Sequence, residues 1–134
     1  MIDYKSLMSM AQKAREKSYS PYSHFCVGAA LLTKAGKVYT GCNIENAAYS
    51  ATVCAERTAI FKAVSEGERD FDAIAIVGGK EGKTSELCAP CGVCRQVIAE
   101  FCQKDFKIVL GNEDKFEVYT LEKLLPLAFT DKDL

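Results

Sequence analysis

The stretch Phe71-Asp72-Ala73-Ile74-Ala75-Ile76-Val77-Gly78 constrains the fold more than any other. Its near-continuous apolar character is that of a strand buried on both faces, and such a strand needs a layer of structure on each side of its sheet. The flanking segments supply those layers. Asp3 is suited to cap a helix, with Ile2 stapled onto Leu7, and Leu7, Met10, Ala11 and Ala14 recur at helical spacing up to about Lys17. After the turn-rich Ser18-Tyr19-Ser20-Pro21-Tyr22-Ser23, two strand-like runs, Phe25 to Thr33 and Lys37 to Cys42, flank Lys34-Ala35-Gly36 as a hairpin. A second helix is predicted from near Thr52 to Glu66, closed by Gly67, with Ala55, Ala59, Ile60, Ala63 and Val64 on its apolar face. Pro90 suits the first position of a third helix with Val93, Val97, Ile98 and Phe101 inward. Phe106 to Leu110 and Phe116 to Tyr119 read as strands, and Thr120 caps a short helix carrying Leu121, Leu124 and Leu125 that Pro126 ends. The order α-β-β-α-β-α-β-β-α predicts an α/β fold, a five-stranded mixed sheet flanked by helices on both faces, with residues 1–134 as one domain.

Composition narrows the function. Seventeen Lys and Arg against eighteen Asp and Glu leave a net charge of -1, which argues against a nucleic-acid partner and favours a small, weakly charged ligand. No apolar run reaches the ~18 to 20 residues of a membrane span. The opening Met-Ile-Asp-Tyr-Lys-Ser-Leu-Met lacks the pattern of a secretory signal. The seven cysteines are an odd number in a chain with a good core, which predicts a reducing, cytoplasmic setting in which they are buried, metal-bound or catalytic. His24 is the one histidine, so any metal site must rely on sulfur.

Three cysteines fall at steps of three in Cys88-Ala-Pro-Cys91-Gly-Val-Cys94-Arg-Gln. An iron–sulfur run would continue to a fourth cysteine followed by proline three residues on, but here Arg95-Gln96-Val97-Ile98 continues a helix. Zinc fits better. Cys91 and Cys94 in a first helical turn share a face, and the partial positive charge of a helix N-terminus favours thiolates. A third sulfur is offered by Cys54 in Cys54-Ala55-Glu56-Arg57, which also opens a helix. Three protein ligands with an open position describe catalytic zinc, and four describe a structural site, with Cys88 available as the fourth. Glu56, two residues from a ligand, is placed to serve an open position as general acid and base. Taken alone it is an ordinary first-turn carboxylate, and Arg57 a surface charge.

The pairing of Cys54-Ala55-Glu56 with Pro90-Cys91-x-x-Cys94 is the three-cysteine form of the zinc deaminase signature. Together with Tyr22-Ser23-His24-Phe25, Val27-Gly28-Ala29-Ala30-Leu31, Gly41-Cys42-Asn43-Ile44-Glu45-Asn46-Ala47-Ala48-Tyr49 and Leu124-Leu125-Pro126 ending in Phe129, it makes nearly the whole chain resemble the cytidine deaminases of the small, homotetrameric, zinc-dependent type. Cys26 stands where relatives often carry proline.

That resemblance implies a three-layer fold and one zinc ion per chain held by Cys54, Cys91 and Cys94, with Cys88 outside the ligand set. It implies hydrolysis of cytidine and deoxycytidine to uridine, deoxyuridine and ammonia in pyrimidine salvage, with Glu56 carrying the protons. Three thiolates leave a zinc site at −1, and Arg57 is implied as the group that draws charge off the sulfurs. Asn43 and Glu45 alternate, so on a strand end they face one side. The resemblance assigns them to the ribose hydroxyls, Phe25 to the nucleoside and the Ala55 backbone to the base. Glu45 would disfavour a phosphate, so nucleosides are expected over nucleotides. Tyr49 and Phe129 are implied to reach a neighbouring subunit's site. Competing readings are a deaminase of blasticidin, guanine or tRNA adenosine, and a non-catalytic zinc module closed by Cys88. Cys26, Cys42 and Cys102 are expected in the core, and His24 is expected to be structural.

Overall fold

The computed structural model describes residues 1–84 and 87–134. Its elements run α1 (Tyr4–Arg15), β1 (Phe25–Thr33), β2 (Val38–Cys42), α2 (Ala55–Ser65), β3 (Phe71–Lys80), α3 (Gly92–Phe101), β4 (Lys107–Gly111), β5 (Phe116–Thr120) and α4 (Leu121–Leu124), with single 3₁₀ turns at Tyr49–Ala51 and Asp131–Asp133. The order is the predicted one. The strands form one sheet, β2-β1-β3-β4-β5, in which β3 and β4 pair parallel and the other neighbours pair antiparallel.

β3 is the buried centre that its composition demands. Ala73, Ala75 and Val77 face α1, where they pack with Leu7, Met8 and Ala11, while Ile74 and Ile76 face the opposite layer with Ala59, Ile60 and Ile98. Alternation at period two thus divides one apolar run between two cores. The faces differ in side-chain size, and α1 crosses close to the sheet. A Cβ at Gly28 would lie 2.0 Å from the Ala11 carbonyl oxygen, and one at Gly41 would lie 2.6 Å from Ala59 N on α2.

Several boundaries differ from the sequence reading. Helix α1 ends at Arg15, short of Lys17, and Arg15 turns inward at 7% exposure to donate to the carbonyls of Cys26, Gly79, Lys80 and Lys83. Helix α2 begins at Ala55 instead of near Thr52, because Ile44 and Val53 pair as an isolated bridge that holds residues 52–54 extended. Helix α3 begins at Gly92, so Pro90 precedes the helix and Cys91 is its N-cap. Of the cysteines expected in the core, Cys102 packs against it, whereas Cys26 and Cys42 are half-buried at its edge, bonded to the Ser20 hydroxyl and the Lys17 carbonyl.

Candidate active site

The parallel β3–α3–β4 crossover carries the chain over the same face that α2 covers, so the N-termini of α2 and α3 meet beside the end of β3. Cys54 is the N-cap of α2, Cys91 is the N-cap of α3, and Cys94 lies three residues on. An N-cap side chain ordinarily accepts a hydrogen bond from the first-turn amides. Neither cysteine does so, and the sulfurs turn toward each other. The three Sγ atoms lie within 4.8 Å of one another, with Cys54 and Cys91 at 3.8 Å.

That set fits zinc. A tetrahedral ion with Zn–S bonds of about 2.3 Å holds its sulfurs about 3.8 Å apart. No fourth Cys, His, Asp or Glu joins the group among the described residues. Cys88 packs its Sγ against Gly78, where an added Cβ would come within 2.5 Å of it, and burial pushes its thiol up to about 11. The closed four-sulfur module is therefore not what these residues build. His24 also stands apart, in left-handed backbone at φ 56°, with Nδ1 3.6 Å from Glu81 Oε2.

Electrostatics divide the cluster. A hydrogen bond from the Cys94 thiol, aided by the Arg57 guanidinium, holds Cys54 down at about 5, and sharing that proton pushes Cys94 well above the usual thiol range. Arg57 Nη2 lies 3.4 Å from Cys54 Sγ, and this bond raises the guanidinium further above its ordinary value. Its Nε is buried without an acceptor among the described residues, so the side chain adds positive charge beside the sulfurs. With zinc bound to three thiolates, Arg57 would bring the local charge to zero and so favour the metal's Lewis acidity. Glu56, only 4% exposed, sits in the first turn of α2 near the Cys54 and Cys94 sulfurs, and burial raises its carboxyl to about 7.

A second group lies across the Ile44–Val53 bridge. The strand β2 stops at Cys42, so Asn43 and Glu45 are not on a regular strand, but the bridge at Ile44 keeps the backbone extended and both side chains reach toward segment 18–27. Asn43 Oδ1 accepts from Val27 N at 2.9 Å and the Ser18 hydroxyl at 2.5 Å, while Nδ2 donates to the Phe25 carbonyl at 2.8 Å. Glu45 accepts from Tyr22 N, Ser23 N and the Ser23 hydroxyl, which hold its carboxyl below the usual range. Ser18, Ser23 and the Arg15 clamp escape a reading of the sequence. Ser23 lies inside the Tyr22-Ser23-His24-Phe25 motif, but nothing there marks its hydroxyl.

The structure thus brings together Cys54, Cys91, Cys94, Glu56, Arg57 and Ala55, with Phe25, Asn43 and Glu45 as a neighbouring group joined to them by the bridge. Tyr49 and Phe129 point outward at 75% and 59% exposure. The Tyr49 ring meets Tyr22 edge-on at 6.0 Å, and the Phe129 carbonyl accepts from Gln96.

Comparison with known proteins gives the same answer. Residues 1–110 match the family described as the cytidine and deoxycytidylate deaminase zinc-binding region. A cytidine deaminase of Sporosarcina psychrophila is 54% identical over 134 residues, covering 99% of this chain and 96% of its own, and one of Halalkalibacterium halodurans is 52% identical, covering 99% and 98%. The crystal structure of cytidine deaminase from Burkholderia pseudomallei superposes with a TM-score of 0.87 at 48% identity, covering 96% of this chain and all of that one. Two helices that begin at cysteines, a buried carboxyl beside them and likeness along the full length agree: the chain belongs to the cytidine and deoxycytidylate deaminase zinc-binding family.

Proposed function

We propose that this protein hydrolyses cytidine and deoxycytidine to uridine and deoxyuridine with release of ammonia, residues 1–134 acting as one domain. The observation that carries the reading is Glu56, a carboxyl buried to 4% exposure next to a three-thiol group that has no fourth ligand among the described residues. Cys54, Cys91 and Cys94 would hold one zinc ion. When bound, zinc supplies Lewis acidity and brings the pKa of water toward neutrality.

The chain's own residues do the rest. Glu56 holds the proton given up by the attacking water and passes it to ring N3 as the new C–O bond forms at C4. It then carries the proton of the new C4 hydroxyl to the exocyclic amine, which leaves as ammonia. In the metal-free protein burial lifts the carboxyl to about 7, toward the neutral range in which a group both accepts and releases protons. Burial of the same group excludes bulk water that would compete for those protons. Arg57 steadies the Cys54 thiolate, the Ala55 backbone lies against the base, Phe25 lies against the nucleoside, and Asn43 with Glu45 takes the ribose hydroxyls. A negative Glu45 at the sugar end repels a phosphate, so the free nucleoside is the substrate.

The working form is a homotetramer in which Tyr49 and Phe129 complete a neighbour's site. Its support is apolar surface that a lone chain leaves wet: Phe61 at 46% and Val93 at 58% exposure line one groove with Val97 and Phe101. A role in cytoplasmic pyrimidine salvage follows from the nucleoside substrate and from seven free thiols that need reducing conditions. The charge balance gives no basic excess for a nucleic-acid partner, and among the described residues no helix is long and apolar enough to cross a membrane.

The test is the ultraviolet change of cytidine on incubation with purified protein, alongside a zinc measurement. Zinc-loaded protein that leaves cytidine unchanged would refute the reading.

A further inference from the structure

We infer that Ser23 is a positioning residue for sugar recognition: its hydroxyl joins Glu45 to the Phe25 backbone and fixes the single acceptor site that Glu45 offers to a ribose hydroxyl. The inference deepens the cytidine reading and rests on it.

A carboxylate has about four lone-pair sites. Glu45 Oε1 is filled by two backbone amides, Tyr22 N at 2.9 Å and Ser23 N at 3.2 Å. Oε2 takes the Ser23 hydroxyl at 2.5 Å, which leaves one acceptor site, on Oε2, open. Asn43 is committed in the complementary sense. Its orientation is set by the backbone, because Oδ1 must face the Val27 amide and Nδ2 the Phe25 carbonyl. With the Ser18 hydroxyl also on Oδ1, the amide keeps one N–H uncommitted among the described residues. One free acceptor and one free donor, on residues two apart on an extended segment, match a pair of neighbouring hydroxyls.

Ser23 holds this arrangement through two bonds of opposite sense. It donates to Glu45 and accepts from Phe25 N at 3.0 Å, so the residue assigned to the sugar and the residue assigned to the nucleoside face are tied through one oxygen. Alanine at this position frees a second lone pair on Oε2 and leaves the Phe25 amide without its partner. The carboxylate keeps its charge but loses its orientation. A hydrogen bond to a charged group is worth enough that the expected loss in binding is about tenfold.

The experiment compares Ser23→Ala and Ser23→Thr with wild type on cytidine and on 2′,3′-dideoxycytidine, which lacks both hydroxyls. Ser23→Ala should raise KM for cytidine about tenfold, leave kcat within about twofold and leave both constants for the dideoxy substrate unchanged, while Ser23→Thr restores the cytidine KM. Equal losses on both substrates would show that Ser23 only holds the turn and would overturn the inference. An unchanged cytidine KM in Ser23→Ala would also overturn it. Wild-type protein that turns over neither nucleoside would refute the assigned activity and this inference with it, whereas active wild type with an indifferent Ser23→Ala refutes the inference alone.

Discussion

Replacing Glu56 by glutamine keeps the side chain's shape and removes its proton chemistry. General acid–base catalysis contributes roughly 10² to 10⁴ in rate, so Glu56→Gln should lower kcat for cytidine by at least about a hundredfold while holding close to one zinc per chain. The same variant carries a stability prediction with a defined sign. Burial raises the folded-state carboxyl from 4.5 to about 7 in the metal-free protein, so between those values the unfolded chain gives up a proton that the folded chain keeps. Folding is therefore progressively disfavoured as pH rises from about 4.5 to about 7, with a plateau above that range of about 3 kcal/mol. Glutamine removes the ionisation. Metal-free Glu56→Gln should exceed metal-free wild type in stability by a few kcal/mol at pH 8, and the difference should vanish near pH 4. Urea melts of chelated protein at the two pH values, paired with turnover and zinc content of the loaded enzyme, test both claims. Retention of more than about a tenth of the wild-type kcat would refute the role of Glu56 in proton transfer. Equal stability of the two metal-free proteins at pH 8 would refute the desolvation argument.

Other substitutions separate the cysteines and probe the packing. Cys88→Ala should keep close to one zinc per chain, whereas Cys91→Ala should lose the metal; atomic absorption distinguishes them, and loss from Cys88→Ala would revive a four-sulfur site. Zinc affinity should fall steeply as pH is lowered, because each thiol must shed its proton to bind, and competition with a chromogenic chelator across pH measures this. Gly28→Ala should destabilise by about 3 kcal/mol or more, since its Cβ would meet backbone atoms of Ala11 and Arg15 at 2.0 and 2.4 Å and backbone gives way poorly. A denaturant midpoint equal to wild type would show that α1 can lift without cost.

The fold was legible because its central strand declares itself. An apolar run at residues 71–78 admits only a covered position, and the helical stripes on either side supply the covers. The zinc group was legible for a similar reason, since thiols at two helix starts, in a chain with one histidine, have little chemistry open to them besides sharing a metal. The helix starts themselves were misplaced by two to three residues, and the cause is chemical. Cys54 and Cys91 occupy cap positions without capping, so the usual Ser, Thr, Asp or Asn marker is missing where α2 and α3 begin. Pro90 then drew the start of α3 forward. The hydrogen bonds around Asn43 and Glu45 were not readable at all, because they join residues 16 to 25 positions apart through serine hydroxyls and backbone amides that carry no sequence signal. Resemblance suggests a role for that pair, and the structure shows the bonds that hold the two side chains.

The unequal sizes of the side chains on the two faces of β3 have a consequence for how sequences like this one can drift. Where α1 rests on Ala73, Ala75 and Val77, with Gly28 paired to Val77, a side chain at Gly28 would run into the α1 backbone, so enlargement there is a loss. On the other side, Ile74, Ile76, Ile98 and Ile108 are large aliphatic groups that can exchange for one another's isomers with local repacking. A library built on the isoleucine side should return many folded members and one built on the alanine side few, so the wall behind the metal is the part of this scaffold open to redesign.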